Sequence, residues 1–138
     1  MSNPAPGFEK HPAYEVTIQP LGQTVEVKAG ALLIAHSNDA VLLNETKHKP
    51  VWYLPTKDLN QDALSSSDTQ TYCPFKGYAS YWHIETEQGR LEDAVWAYLD
   101  PYDECLAISA YASFYTNKVS VYINGERADA SGPGWTDR

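Results

Sequence analysis

Along most of the chain apolar and polar residues alternate with a period of two, the signature of strands that turn one face inward. In "YEVTIQP", Tyr14, Val16 and Ile18 fall on one face and Glu15, Thr17 and Gln19 on the other, and Pro20-Leu21-Gly22 ends the run. "QTVEVKAG" repeats the pattern with Val25 and Val27 inward. "ALLIAHSNDAVLLN" reads as two short apolar strands around Ser37-Asn38-Asp39, which predicts a hairpin. "VWYLP" is another strand, stopped by Pro55. The one helical signal is "TKDLNQDALSSSD": Thr56 can cap a first turn, Leu59, Ala63 and Leu64 form one apolar stripe, and three serines end it. Strands resume over Tyr78 to Glu85 and, after a Gln88-Gly89 turn, over Leu91 to Leu99. "YASFYT" and "VSVYIN" close the set, the latter at the Asn124-Gly125 turn.

Helices and strands do not alternate, so a parallel βαβ sheet is not expected. The pattern predicts a mainly β chain: a single compact antiparallel barrel or folded sheet with one or two short helical turns. Residues 1–13 carry three prolines and read as a loose N-terminal arm. Residues 14–124 form a single β-rich domain, and residues 125–138 a flexible C-terminal tail in which Trp135 could still dock.

Charge narrows the partners. The 138 residues hold 18 acids against 10 lysines and arginines, a net −8. From Glu85 to Glu104 there are seven acids and one base, Arg90. A nucleic-acid binder needs a basic stripe to displace counterions, and this chain has none, so neither nucleic acid nor an anionic membrane is an expected partner. The longest apolar run, Ala29 to Ala35, is too short for a membrane span, and the N-terminus does not resemble a signal peptide. The expectation is a soluble, cytoplasmic protein whose two cysteines, Cys73 and Cys105, stay as free thiols. The four histidines lack ligand spacing and there is no C-x-x-C, so no structural metal is expected; "DPYDE" reads as a solvated acidic turn. Whether the chain uses a cofactor is not legible in its residues.

Chemistry concentrates in "TYCPFKGYASYWH", Thr71 to His83. Pro74 drives Cys73 into an extended conformation and Gly77 permits a turn, so "CPFKG" is a rigid bend with Cys73 and Lys76 three residues apart. Convergence of those two side chains would favour the thiolate and make a nucleophile; Lys76 in an aromatic pocket could itself be a nucleophile or an anion clamp. Without convergence, Cys73 is a small buried hydrophobe and Lys76 points to water. In the following strand Tyr78, Ser80, Trp82 and Ile84 share one face and Ala79, Tyr81 and His83 the other. Aromatic walls with a few polar handles suit a small organic ligand, and they equally suit plain sheet packing.

Val51 to Pro55, Asp58, the Cys-Pro-aromatic-Lys-Gly core within Thr71 to Trp82, "AVWAY" followed by Pro101, and "YASFY" together resemble the bacterial family known as domain of unknown function 427. The resemblance runs in order from about Gly30 to Val121. It implies a β-tent, or Mss4-like, arrangement of small folded sheets, and a pocket lined by Tyr53, Asp58, Cys73, Lys76, Tyr81, Trp96 and Tyr98. The family is also labelled nucleotidyltransferase-like. This chain has neither the Gly-Ser turn with a D-x-D pair nor the K-x-D-G lysine of such enzymes, and Thr56-Lys57 stands where family members often carry Arg-Glu. Three readings stay open. The first is a small-molecule binding domain with its pocket beside the bend. The second is an enzyme using Cys73 or Lys76, with Asp58 or His83 assisting. The third is a protein-interaction module with an exposed aromatic patch.

Overall fold

The computed structural model describes residues 2–128. Its eleven strands are β1 (Val16–Pro20), β2 (Val25–Ala29), β3 (Leu32–Ser37), β4 (Val41–Glu45), β5 (Val51–Pro55), β6 (Leu64–Cys73), β7 (Gly77–Thr86), β8 (Gly89–Ala97), β9 (Tyr111–Phe114), β10 (Ser120–Ile123) and β11 (Glu126–Arg127). They form two antiparallel sheets: seven strands in the order β1-β4-β5-β9-β8-β7-β6, and four in the order β11-β10-β2-β3. The mainly β expectation holds, as a folded sheet and not a closed barrel.

The fold in the large sheet lies at β9. This short strand pairs with β5 only at Leu54↔Ala112 and Pro55↔Tyr111, and with β8 only at Val95↔Phe114 and Trp96↔Ser113. β5 and the Ala94–Ala97 end of β8 are buried on both faces, and sequence explains it: "VWYL" and "AVWA" have no polar position to turn to water. Trp52, Leu54, Val95 and Ala97 face the small sheet and pack with Val25, Val27, Ile34 and Val121 in one core. The opposite residues, Val51, Tyr53, Trp96 and Tyr98, turn the other way. They build a second core with Leu43, Ala79, Tyr81, Cys105 and Ile108.

Several sequence expectations change. Ala31 to Asn44 is not a hairpin: β3 pairs with β2 in the small sheet, whereas β4 pairs with β1 and β5 in the large one. The Ser37-Asn38-Asp39 turn therefore carries the chain between sheets, a distinction that local pattern does not encode. The predicted helix is two separate 3₁₀ turns, Thr56–Asp58 and Gln61–Ala63, neither with a side-chain cap. Leu64 and the serines that were to end it instead begin β6, an edge strand of ten residues. Its polar, mostly solvent-facing composition hid it. Glu126 and Arg127, assigned to a flexible tail, pair with β10 across a turn in which Asn124 and Gly125 have φ of 51° and 86°. That left-handed pair is the one an Asn-Gly hairpin favours. The rest of the predicted tail, with Trp135, lies outside the described residues.

The arm is not loose. Asn3 N–H donates to Asp103 while Asp103 N–H donates back to Asn3 O, and Ala5 N–H donates to Glu104. Gly7, in the short helix α1 (Gly7–Lys10), donates to the Pro74 carbonyl. Two carboxylates of the acidic "DPYDE" turn are thus acceptors for the arm's backbone.

Candidate functional site

The bend at Pro74-Phe75-Lys76 is the loop of the β6–β7 hairpin, closed by the Cys73↔Gly77 pair. Gly77 has φ +115°, and a Cβ there would meet the Asp100 carbonyl at 3.4 Å, so both conformation and space call for glycine. Above the bend the arm folds back. Tyr14 stacks on Phe75 with ring centroids 3.8 Å apart, and Phe8 meets Phe75 edge-on at 5.1 Å.

Lys76 points inward. It is fully buried, its Nζ paired to the Glu45 carboxylate, which also accepts from the Tyr14 hydroxyl, and it lies 5.6 Å from the Tyr98 ring centroid. An ammonium taken out of water needs such a partner. Of the two settings the sequence left open for Lys76, exposure to water does not hold, and its partner Glu45 gave no local signal, being 31 residues away on β4 while Lys76 lies in the hairpin loop. Backbone Lys76 N–H donates to Cys73 O. Cys105 is fully buried, donates to the Phe75 carbonyl at 3.7 Å, and has its pKa pushed up by burial to about 12. Cys73 is half-buried at the margin of the second core, and both cysteines are free thiols.

The aromatic candidates do assemble. Trp96 Nε1–H donates to the Tyr53 hydroxyl at 3.2 Å, with the rings edge-on at 6.3 Å. Tyr81 pairs with Trp96 across β7 and β8, and its hydroxyl is 2.9 Å from Thr71 Oγ1. Tyr115 lies over Trp96 at 4.6 Å. Asp58 does not join them: it accepts from Ser37 Oγ at 2.6 Å and faces Lys57 at 3.6 Å. Lys57 and Asp39 line a separate hollow of about 470 Å³ with Pro20, Pro55 and Tyr111.

On the Tyr81 side the second core opens into a hollow of about 310 Å³, lined by Thr69, Thr71, Tyr81, Asp93, Tyr115, Asn117 and Lys118. Its wall is made by three irregularities at one level. β6 slips register between Ser66 and Gln70, β7 between Trp82 and Ile84, and Asp93 in β8 has φ +50°. The slip in β7 also breaks the predicted face. Tyr78, 59% exposed, and Ile84, fully buried, do not share an environment. Ser67 and Thr69 hydroxyls donate to the Asp93 carboxylate, the latter at 2.7 Å, and His83 Nδ1 accepts the Asp93 N–H at 3.0 Å. The Ser67 bond first, opposed by burial and aided by Thr69, His83 and Lys118, holds the Asp93 carboxyl below the ordinary range. His83 Nδ1 accepts a backbone N–H and does not donate to the carboxylate, so Ser67, His83 and Asp93 do not form a serine–histidine–aspartate relay. Neither Asp93 nor Lys118 was singled out, because only the bulges and the β9–β10 turn bring them together.

A mainly β domain of two antiparallel sheets, with a polar hollow opening off an aromatic second core, is what these elements define. The chain belongs to the family described as Domain of unknown function (DUF427), whose sequence model matches residues 17–125. A comparison with curated proteins finds no match. Among the described residues no helix is long and apolar enough to cross a membrane.

Proposed function

We propose that this domain binds a small organic molecule in the hollow beside the β6–β7 hairpin, with Tyr81 at its floor and Tyr115 as its aromatic wall. The observation that carries the reading is the opening of the second aromatic core: Tyr81 lines both the core and the hollow, its hydroxyl fixed by Thr71. Pockets that combine apolar rings with a few convergent polar groups are the common form of small-molecule sites. Of the residues implied by family resemblance, Tyr81 touches the ligand, and Trp96 supports it through Tyr115. Tyr53, Tyr98 and the Lys76–Glu45 pair fix the core behind, and Cys73 sits at its margin. In this reading Lys76 is structural, and the cation on the rim is Lys118.

An enzyme using Cys73 or Lys76 has less support: the Lys76 ammonium is fully buried against the Glu45 carboxylate, where a substrate entering from solvent does not reach it. The test is a thermal-shift screen of the full chain against small metabolites, since a ligand at 100 times its Kd adds about 2.7 kcal/mol. Thr71→Trp fills the hollow from its exposed rim. Hits must disappear in that variant while its unliganded melting temperature holds. Hits that survive the filling place binding elsewhere and overturn the reading.

A further inference from the structure

The hollow carries two charges of opposite sign, and one of them is held there against a backbone preference. Asp93 takes a left-handed conformation in mid-strand, φ +50°, which is uncommon for a non-glycine residue although aspartate tolerates it better than most. Bulges of this kind re-aim side chains. Here they swing a carboxylate onto the wall of the hollow, where the Ser67 and Thr69 hydroxyls donate to it, while the His83 ring accepts the Asp93 backbone N–H. The two hydroxyl bonds favour its charged form. Lys118 lines the same hollow and is close enough to act on the Asp93 charge. Its Nζ donates to the Glu92 carbonyl and lies 5.8 Å from the Tyr115 ring centroid. An ammonium has three N–H donors, and that carbonyl uses one.

A simple anion entering the hollow meets Asp93, and a simple cation meets Lys118. A neutral molecule strips water from both charges without replacing its bonds. A molecule carrying both charges answers both. Resting on the small-molecule reading above, we propose that the hollow takes a small zwitterion of the α-amino-acid type. Its ammonium sits on Asp93, its carboxylate faces Lys118, and its side chain lies against the Tyr81 and Tyr115 rings. The hydroxyl of Thr71 and the amide of Asn117 complete the polar rim.

The test titrates the ¹⁵N-labelled full chain with phenylalanine, phenylalaninamide and N-acetylphenylalanine, following Thr69, Thr71 and Asn117 amides. Phenylalanine binds most tightly, and each blocked form is weaker by about tenfold or more, the loss of one charge-assisted contact. Asp93→Asn weakens phenylalanine and the amide but not the N-acetyl compound; Lys118→Gln weakens phenylalanine but not the amide. Should Asp93→Asn fail to fold, the blocked compounds and Lys118→Gln decide the matter alone. Equal binding of all three compounds overturns the proposal. If only an uncharged ring such as indole moves the lining residues, the zwitterion is wrong and the small-molecule hollow stands. If no probe moves them, both fall.

Discussion

At Lys76 an ammonium group has no contact with solvent, and its stability rests on Glu45 remaining charged beside it. Removing one member of such a pair leaves the other buried without its counter-charge, which typically costs about 3–5 kcal/mol. Lys76→Met should therefore destabilise the chain by that order in a urea titration. Adding Glu45→Gln should recover much of the loss, because glutamine can still accept from Tyr14 without carrying charge. A loss below about 1 kcal/mol in the single variant, or simple additivity in the double, would contradict a buried ion pair. Asp93 makes a prediction of a different kind. Its folded pKa lies below its unfolded value, so its contribution is complete above about pH 4 and is lost as pH falls through the folded value. Melting temperatures measured from pH 7 to pH 2.5 should show Asp93→Asn destabilised at neutral pH and converging on the parent chain in acid. A constant gap across the range would contradict it. Of these two residues only Lys76 stood out in the sequence, through the rigid bend around it. Asp93 looked like one more acid in an acidic stretch.

Among the elements, the arm carries the clearest consequence. Ala5 is buried, and a Cβ on Gly7 would fall 2.7 Å from the Phe75 ring and 2.9 Å from the Pro74 carbonyl. Gly7→Val cannot seat there without shifting the ring or lifting the arm. It should cost about 1–3 kcal/mol, and amide exchange should quicken over residues 3–14 while β7 and β8 keep their protection. Unchanged exchange along the arm would show that it does not depend on this contact. Three prolines concealed the docking, because what holds the arm is mostly its own backbone, bonded to Asp103, Glu104 and Pro74. Backbone groups carry no sequence signature. The same limit explains β6: its three serines spoke for a helix end, while pairing with β7 made them a strand. The central strands were legible because two-sided burial leaves "VWYL" and "AVWA" without polar interruption.

For the whole molecule, the sequence disclosed a mainly β class and the aromatic set that packs together, but not the partition into two sheets. That partition follows from where β3 and β4 part company, a long-range choice. Nor did it disclose the hollow, which needs three adjacent strands to break register at one level. Besides the hollow of about 310 Å³ at Tyr81, the described residues enclose one of about 470 Å³ at Tyr111 and one of about 210 Å³ at Leu32, and carry an exposed tyrosine cluster at Tyr72 and Tyr78. Chemical-shift mapping of the full chain against the strongest hit of a metabolite screen separates them in one measurement. The account predicts shifts concentrated at Thr69, Thr71, Tyr81, Asp93 and Asn117. Shifts gathered instead around Lys57 and Tyr111, or on the Tyr72–Tyr78 surface, would contradict it.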